Sequence, residues 1–184
     1  MSKSVMLSIR PKWCEKIANG EKTIEVRKTR PKIDTPFKCY IYCTLPKYPH
    51  EDFIATNYPM PQFYGGGKVI GEFTCDRIYE IQKRGIPENF DYCYLSLNEW
   101  GNDDIAAEIN AISASCVSKG ELNAYGARTP VLYGWHISDL RIYDTPRELS
   151  EFTGLRNTRF GAAPYDIKRA PQSWCYVEVM KDGN

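Results

Sequence analysis

The sequence has almost no excess of either charge, and it lacks any long apolar segment. Its 24 Lys and Arg residues are balanced by 23 Asp and Glu residues, which leaves a formal net charge of +1. Proteins that hold long nucleic acids mainly by neutralising phosphates usually carry a clear basic excess. Any nucleic acid should therefore bind at a local site. No apolar run approaches the ~20 residues that cross a bilayer, so we expect no membrane association.

Secretory features are also missing. No signal sequence opens the chain, because its first four residues lead straight into a strand-like stretch. The cysteines are odd in number, and most lie within apolar patterns rather than at loop corners. Both features are typical of a reducing compartment with free thiols, so we expect a cytoplasmic protein. The seven cysteines are Cys14, Cys39, Cys43, Cys75, Cys93, Cys116 and Cys175.

Motifs for common cofactors and nucleophiles are absent as well. The Gly-Gly-Gly-Lys run at 65–68 lacks the upstream Gly and the Ser or Thr of a P-loop. No serine stands in a nucleophile elbow. Cys39 and Cys43 share one face of a predicted strand, which is not the spacing of a zinc site. We expect neither a metal nor a cofactor.

Short strand-like segments outnumber helical ones. Alternating apolar residues predict strands, whereas Pro11 and Gly20 bracket an amphipathic helix between the first two of them. Several short strands with few helices favour a closed or partly closed barrel. The predicted strands cover 5–10, 22–28, 37–44, 68–76, 130–143 and 173–179, and the long stretch 130–143 is either a pair of strands or one bent strand.

The remaining segments divide into two further helices and two irregular stretches. Periodicity predicts a helix over 103–119 that ends at Gly120, and Thr145 begins a capping box for a short helix. Pro, Gly and aromatic residues make 45–67 a long loop insertion, and 154–171 also reads as irregular. With no repeat or linker, residues 1–184 are predicted to form a single domain.

One stretch, 7–27, resembles the opening of the ASCH family, a branch of the PUA-like β-barrels. Its helix leads into a strand through the pattern Gly-x-Lys-Thr-x-Glu-x-Arg. Residues 132–143 and 171–178 are similar to the closing elements of that family, whereas the loop insertion is not part of the likeness. The residues that match the pattern are Gly20, Lys22, Thr23, Glu25 and Arg27.

The resemblance implies a fold and a class of ligand. The fold would be α+β, a mixed β-barrel of the PUA-like or ASCH type with short flanking helices. PUA-like barrels generally recognise RNA or modified bases, so the implied partner is RNA, another single-stranded nucleic acid or a small nucleoside.

The physical chemistry of the motif fits such a ligand. Glu25 and Arg27 lie two residues apart on one strand face, where a carboxylate can accept from an exocyclic amine such as cytosine N4. The guanidinium can hold a phosphate or a carbonyl, or can orient Glu25. Lys22 sits at the corner between helix and strand, within reach of a phosphate. A structural ion pair on a solvated strand face is the simpler alternative.

Other charged and aromatic residues complete the predicted cleft. Arg10 and Arg30 would contact phosphate or ribose, and aromatic rings would stack on an unpaired base. His136 points away from its apolar neighbours and can act as an acid or base, or serve as a structural histidine. Trp13 has the spacing of ordinary helix packing. The candidate stacking residues are Tyr42, Trp135 and Trp174, with Trp13 as a further possibility beside its packing role.

Three functions remain open on the sequence. The first is a binding module that recognises RNA or a nucleotide. The second is a hydrolase, since some similar ASCH proteins hydrolyse N4-acetylcytidine with a Lys and a Thr, and others are assigned ribonuclease activity. Here Lys22, Thr23 and Glu25 would be catalytic, although Glu25 stands where those amidases have a second Thr. The third is an accessory protein that binds a partner through the loop at 45–67.

Overall fold

The computed structural model describes residues 3–56, 62–85, 92–97 and 112–179. Most of these residues lie in short strands. The helices are α1 (Pro11–Ala18), α2 (Lys119–Gly126) and a 3-10 turn (Leu149–Glu151), and residues 112–114 are also helical. The strands are β1 (Lys3–Ile9), β2 (Ile24–Arg27), β3 (Phe37–Cys43), β4 (Phe53–Ile54), β5 (Phe63–Tyr64), β6 (Lys68–Cys75), β7 (Ile78–Gly85), β8 (Tyr92–Leu97), β9 (Val131–His136), β10 (Ser138–Glu148), β11 (Thr153–Thr158), β12 (Gly161–Asp166) and β13 (Trp174–Glu178).

The described strands form two main sheets and a small hairpin. The larger sheet has the order β10-β6-β3-β1-β13-β11-β12, and the second has the order β2-β9-β7-β8. Strands β1 and β3 run parallel, and the other pairs run antiparallel, so the larger sheet is mixed. No ladder among the described residues joins the two sheets into a barrel. The described residues form mostly β-sheet with short helices, as predicted, and closure of the barrel stays a prediction.

The chain passes between the sheets twice by bending. Strand β9 belongs to the second sheet and continues through Ile137 into β10 of the larger one, as the long alternating pattern over 130–143 predicts. Strands β6 and β7 make the same passage in the opposite direction. The largest cluster of buried apolar side chains collects residues from both sheets and from α1.

The predicted first helix is confirmed. Pro11 occupies its first turn, and Cys14, Ile17 and Ala18 bury its apolar side. Gly20 ends the turn with φ of +73°, a conformation that glycine adopts without strain. The backbone N–H of Lys22 then donates to the Lys16 carbonyl at 3.0 Å. This corner delivers the chain into β2, the edge strand of the second sheet.

Two predicted helix boundaries are wrong. Gly120 does not end a helix: α2 begins at Lys119, because Ser118 caps it and exchanges hydrogen bonds with Glu121. Residues 112–114 are helical, as predicted, and the part of the predicted helix at 103–111 lies outside the described residues. Thr145 does not begin a helix either, since β10 stays paired with β6 as far as Glu148.

The segment over 154–171 is more regular than expected. Strands β11 and β12 form an antiparallel hairpin, and β11 also pairs with β13. Its sequence has two Gly, two Pro and three Arg among few apolar residues, so the alternation that marks a strand is weak. The loop insertion at 45–67 is mainly irregular, as predicted, and its described part includes the short β4–β5 hairpin. In the ranges that the structure describes, no helix has the length and apolarity to cross a membrane.

Candidate functional site

A cleft of about 930 Å³ opens between the end of β1, the start of α1, strand β2, helix α2 and the segment 169–173. Its walls include residues from both main sheets and from both helices, so only the folded chain assembles it. Three of the predicted motif residues line this cleft: Lys22, Glu25 and Arg27.

These three side chains form a buried ion triad, by which we mean Lys22, Glu25 and Arg27. One carboxylate oxygen of Glu25 lies 2.9 Å from Nη2 of Arg27, and the other lies 3.3 Å from Nζ of Lys22. The side chains are only 1%, 8% and 9% exposed for Lys22, Glu25 and Arg27. The ion pair of the simpler alternative is therefore present, but it is buried and not on a solvated face.

Lys22 is fully engaged by the protein. Its ammonium donates to the carbonyl of Ile24 at 2.7 Å and to that of Ser115 at 2.6 Å, beside its contact with Glu25. An ammonium has three donors, so none is left for a phosphate. Contrary to the expectation from sequence, Lys22 acts on the site by holding the carboxylate of Glu25.

Arg27 keeps unused donors. Its Nη2 donates to the Ser8 carbonyl at 2.9 Å as well as pairing with Glu25. Its Nε–H is buried and has no hydrogen-bond partner among the described residues. A buried donor without a partner costs about 1–3 kcal/mol, so a ligand that accepts from this group would recover that energy.

Apolar and aromatic side chains form the walls above the ion triad. Trp13 is half-buried and lies with its ring 5.2 Å from Nζ of Lys22, while Tyr42 and Tyr125 line the cleft from β3 and α2. Tyr125 is 39% exposed, and burial of its hydroxyl raises its pKa. Leu122 extends the apolar wall along α2.

Charged side chains stand nearer the solvent. Arg10 and Arg169 are exposed and line the cleft, which places Arg10 with the ion triad as the sequence predicts. Glu121 lines it from α2, and hydrogen bonds from the Ser118 backbone and the Lys12 ammonium lower its pKa to about 2. Glu121 is therefore a carboxylate at neutral pH.

Both predicted tryptophans lie away from the cleft. Trp135 is completely buried, with its ring in edge contact with Phe37 and 6.1 Å from that of Trp174. It has no free ring face for a base. Trp174 is half-buried, and its indole N–H donates to Thr29 at 2.9 Å. The aromatic side chains that do line the cleft are Trp13, Tyr42 and Tyr125.

Two other predicted residues also lie outside the cleft. His136 pairs through Nδ1 with a carboxylate oxygen of Asp76 at 2.6 Å. The side chain of Thr23 does not line the cleft. Its backbone N–H donates to Ala114 and its carbonyl accepts from Ile137, so its observed contribution is to anchor the chain before β2.

Arg30 lies in a second depression, which we call the basic groove. It has a volume of about 720 Å³, and its cations are Lys28, Arg30, Lys32 and Arg77. The guanidinium of Arg30 lies 5.8 Å from the ring of Tyr133. The groove was not predicted as a site, although Lys28, Arg30 and Lys32 alternate along the sequence directly after Arg27.

Sequence reasoning also missed Tyr125 and Arg169. A signal for Tyr125 was present, because Ser118 and Glu121 have the spacing of a capping box that begins a helix carrying Tyr125. Arg169 lies in a segment without periodicity, so no pattern marked it. Within the described part of the chain, no three His, Cys, Asp or Glu side chains converge as metal ligands would.

Comparison with known proteins gives the fold but no close relative. No family model matches the sequence, and no curated protein matches it. Among solved structures, the ASCH protein of Zymomonas mobilis is similar, with a TM-score of 0.56 and 15% identity over 95% of this chain and 87% of that chain. A Ser-to-Ala variant of that protein gives a TM-score of 0.53 and 16% identity over 95% of this chain and 88% of that chain.

Proposed function

We propose that this chain, which has the ASCH fold, binds a nucleobase of RNA or a free nucleotide in the cleft above the ion triad. The aromatic walls would hold the flat base, and the triad would recognise its polar edge. Arg10 and Arg169 at the rim would contact phosphate or ribose.

The observation that carries this proposal is the position of the ion triad beneath an aromatic-walled cleft. Taking three charged groups out of water is costly, and a buried ion pair often stabilises a fold no better than apolar residues would. A buried triad that lines a cleft is therefore more useful for recognition than for stability. Its position supports a ligand with complementary donors and acceptors.

The polar groups of the triad suggest which bases bind well. Each oxygen of Glu25 has a second lone pair, so the carboxylate can accept from an exocyclic amine while both cations remain in place. Arg27 can donate Nε–H to a carbonyl or ring nitrogen. Cytosine offers an amine beside a ring nitrogen, whereas uracil has no amine. We therefore expect cytidine nucleotides to bind more tightly than uridine nucleotides.

The cleft has a suitable size and composition. Small-molecule sites usually enclose about 300–1,000 Å³ and combine apolar walls with a few polar groups. The volume of about 930 Å³ lies in that range and leaves room for a sugar and a phosphate besides the base. Stacking between a base and an aromatic side chain contributes about 1–3 kcal/mol.

Hydrolysis of a bound nucleoside or RNA is a second candidate, favoured by the contact of 3.3 Å between Glu25 and Lys22 on the floor of the cleft. Glu25 would act as base on a water molecule. Arg27 would have to stabilise the oxyanion, because the donors of Lys22 are engaged. Thr23 gains no support as a nucleophile, since its side chain does not line the cleft.

Calorimetric titration with CMP, UMP and N4-acetylcytidine tests the proposal. We expect CMP to bind more tightly than UMP, and Glu25→Gln to remove most of that preference because the amide adds a donor where an acceptor is needed. Tyr125→Leu should weaken binding of both nucleotides, whereas Tyr48→Leu, an exposed tyrosine outside the cleft, should not.

Three results would decide between the candidates. If neither nucleotide binds to the unmodified protein, the proposed function is wrong. Equal affinities for CMP and UMP would refute recognition of the amine by Glu25, even if Glu25→Gln fails to fold. Release of acetate from N4-acetylcytidine, or cleavage of an RNA oligomer, with loss in a folded Glu25→Gln variant, would favour hydrolysis.

A further inference from the structure

We propose that the basic groove binds the phosphates of a single-stranded nucleic acid whose terminal or unpaired base occupies the cleft. This inference rests on the proposed function and narrows its ligand from a free nucleotide to an oligonucleotide. The groove is the second large depression of the described residues, and the ion triad does not line it.

The groove and the cleft are linked through Lys28 and Tyr125. Arg27 lines the cleft, and the next residue, Lys28, lines the groove. The ammonium of Lys28 lies 5.1 Å from the ring of Tyr125, which is itself part of the cleft wall. A chain that leaves the cleft past Tyr125 would therefore meet the cations of the groove at once.

The cations of the groove are free to bind anions. Lys28, Arg30, Lys32 and Arg77 are all exposed, and none has a carboxylate within 4 Å among the described residues. Two carboxylates also line the groove. That of Asp76 is occupied by His136 at 2.6 Å, and that of Asp34 lies more than 4 Å from each of the four cations. Four cations therefore outnumber two carboxylates around this depression, an excess that favours a ligand with repeated negative charges.

The groove also offers one surface for a second base. The ring of Tyr133 lines it, and the guanidinium of Arg30 lies over that ring at 5.8 Å. Arginine planes and aromatic rings are the surfaces on which unpaired bases stack. Cations for phosphates together with a ring for a base match a single-stranded chain better than they match an isolated phosphate.

The alternation of the cations supports a linear ligand. Lys28, Arg30 and Lys32 occupy alternate positions in the segment that follows β2. Two hydrogen bonds anchor this segment: the Trp174 indole N–H donates to the Thr29 side-chain hydroxyl at 2.9 Å, and the backbone N–H of Lys32 donates to the Tyr176 hydroxyl at 2.7 Å. The cations therefore extend from an anchored segment.

Fluorescence anisotropy with labelled cytidine hexamers, in RNA and DNA form, tests this inference. Unlabelled CMP is added as a competitor, so that its affinity can be compared with that of the hexamers. We expect the hexamer to bind more tightly than CMP. The double variant Arg30→Ala/Arg77→Ala should lower the affinity for the hexamer and leave the affinity for CMP unchanged. The plot of log K against log salt should become shallower by about 1.4, because each phosphate contact of a single strand contributes about 0.7.

The matched control is Arg156→Ala/Arg159→Ala. It removes the same residue type and the same charge from exposed positions that line neither depression, so it should preserve the salt slope. Two results would show that the groove does not bind phosphates, while the proposed function survives. In the first, CMP binds and the hexamer binds no more tightly than CMP. In the second, the two double variants lower the affinity for the hexamer equally. Comparison of the RNA and DNA hexamers shows which sugar the site accepts. If CMP and both hexamers fail to bind, both proposals are refuted.

Discussion

The cleft and the basic groove lie next to each other on β2 and the segment that follows it, yet they use cations in opposite ways. In the cleft, Lys22 and Arg27 are buried and share the carboxylate of Glu25. In the groove, Lys28 and Arg30 are exposed and have no carboxylate within 4 Å among the described residues. The cleft thus holds its charges in one geometry, and the groove leaves its charges available.

The difference follows from solvation. Buried charges interact strongly and are screened little by salt, so removing one partner leaves another uncompensated. Exposed charges interact weakly with each other and can be changed at little cost to the fold. Replacing a lysine or an arginine should therefore lower the free energy of unfolding strongly in the cleft, but should mainly lower the affinity for the ligand in the groove.

Replacing Lys22 by Met should give the largest effect. It removes the cation from Glu25 and leaves the carbonyls of Ile24 and Ser115 without their donor. Breaking a buried ion pair in this way typically costs about 3–5 kcal/mol. Urea unfolding monitored by circular dichroism measures the loss in free energy of unfolding.

Lys28→Met is the control for that measurement, since it makes the same chemical change at an exposed position on the other side of β2 in the sequence. Its free energy of unfolding should stay within about 0.5 kcal/mol of the unmodified protein. Similar losses for the two variants would remove the distinction between cleft and groove.

Replacing Trp13 by Leu should affect ligand binding to an intermediate degree. Its ring lines the cleft, and loss of stacking on one base costs about 1–3 kcal/mol. The affinity for CMP and for a cytidine hexamer should fall by the same factor, about 5- to 150-fold, since 1.4 kcal/mol is tenfold. Calorimetry on both ligands gives the factor.

Tyr133→Leu sharpens this result, because Tyr133 lines only the groove. This variant should lower the affinity for the hexamer and leave the affinity for CMP unaffected. A loss of CMP affinity in this variant would mean that the two depressions form one site.

Replacing Asp76 by Asn should give the smallest effect. Partial burial acts to raise the pKa of Asp76, but the hydrogen bond from His136 and its charge outweigh burial and lower it. A lowered pKa in the folded state adds stability that is present above the unfolded value of about 3.9 and is lost as the pH falls through the folded value. The contribution should be below about 1 kcal/mol, since the carboxylate is 46% exposed.

Unfolding measured at pH 5 and pH 2 tests this sign. The unmodified protein should lose slightly more stability on acidification than Asp76→Asn, because only the former has this carboxylate to protonate. A larger acid loss in the variant would contradict the assignment.

The motif region was the most predictable part of the molecule. Pro11 and Gly20 fixed the limits of α1, and alternation placed Glu25 and Arg27 on one face of β2. These features depend on residues close in sequence, so local rules suffice. The start of α2 was predictable in principle from Ser118 and Glu121, but apolar periodicity further upstream led to a different boundary.

The aromatic residues of the site could not be assigned in this way. Alternation along β9 put Trp135 opposite His136, but it did not tell which face the larger sheet would cover. Tyr125 approaches the ion triad only because α2 packs beside β2 across about a hundred residues of chain. Such contacts depend on long-range packing, which a local pattern does not encode.

The sequence by itself determined the balance of charge, the alternating strands and the corner at Gly20 that brings Lys22, Glu25 and Arg27 together. Those features arise from backbone preferences and from the two-residue period of a strand. Only the tertiary structure decided that the triad is buried, that Lys22 holds Glu25 instead of a phosphate, and which rings face the cleft. Burial and hydrogen-bond saturation belong to the packed surfaces of several elements, so they exist only once those elements have come together.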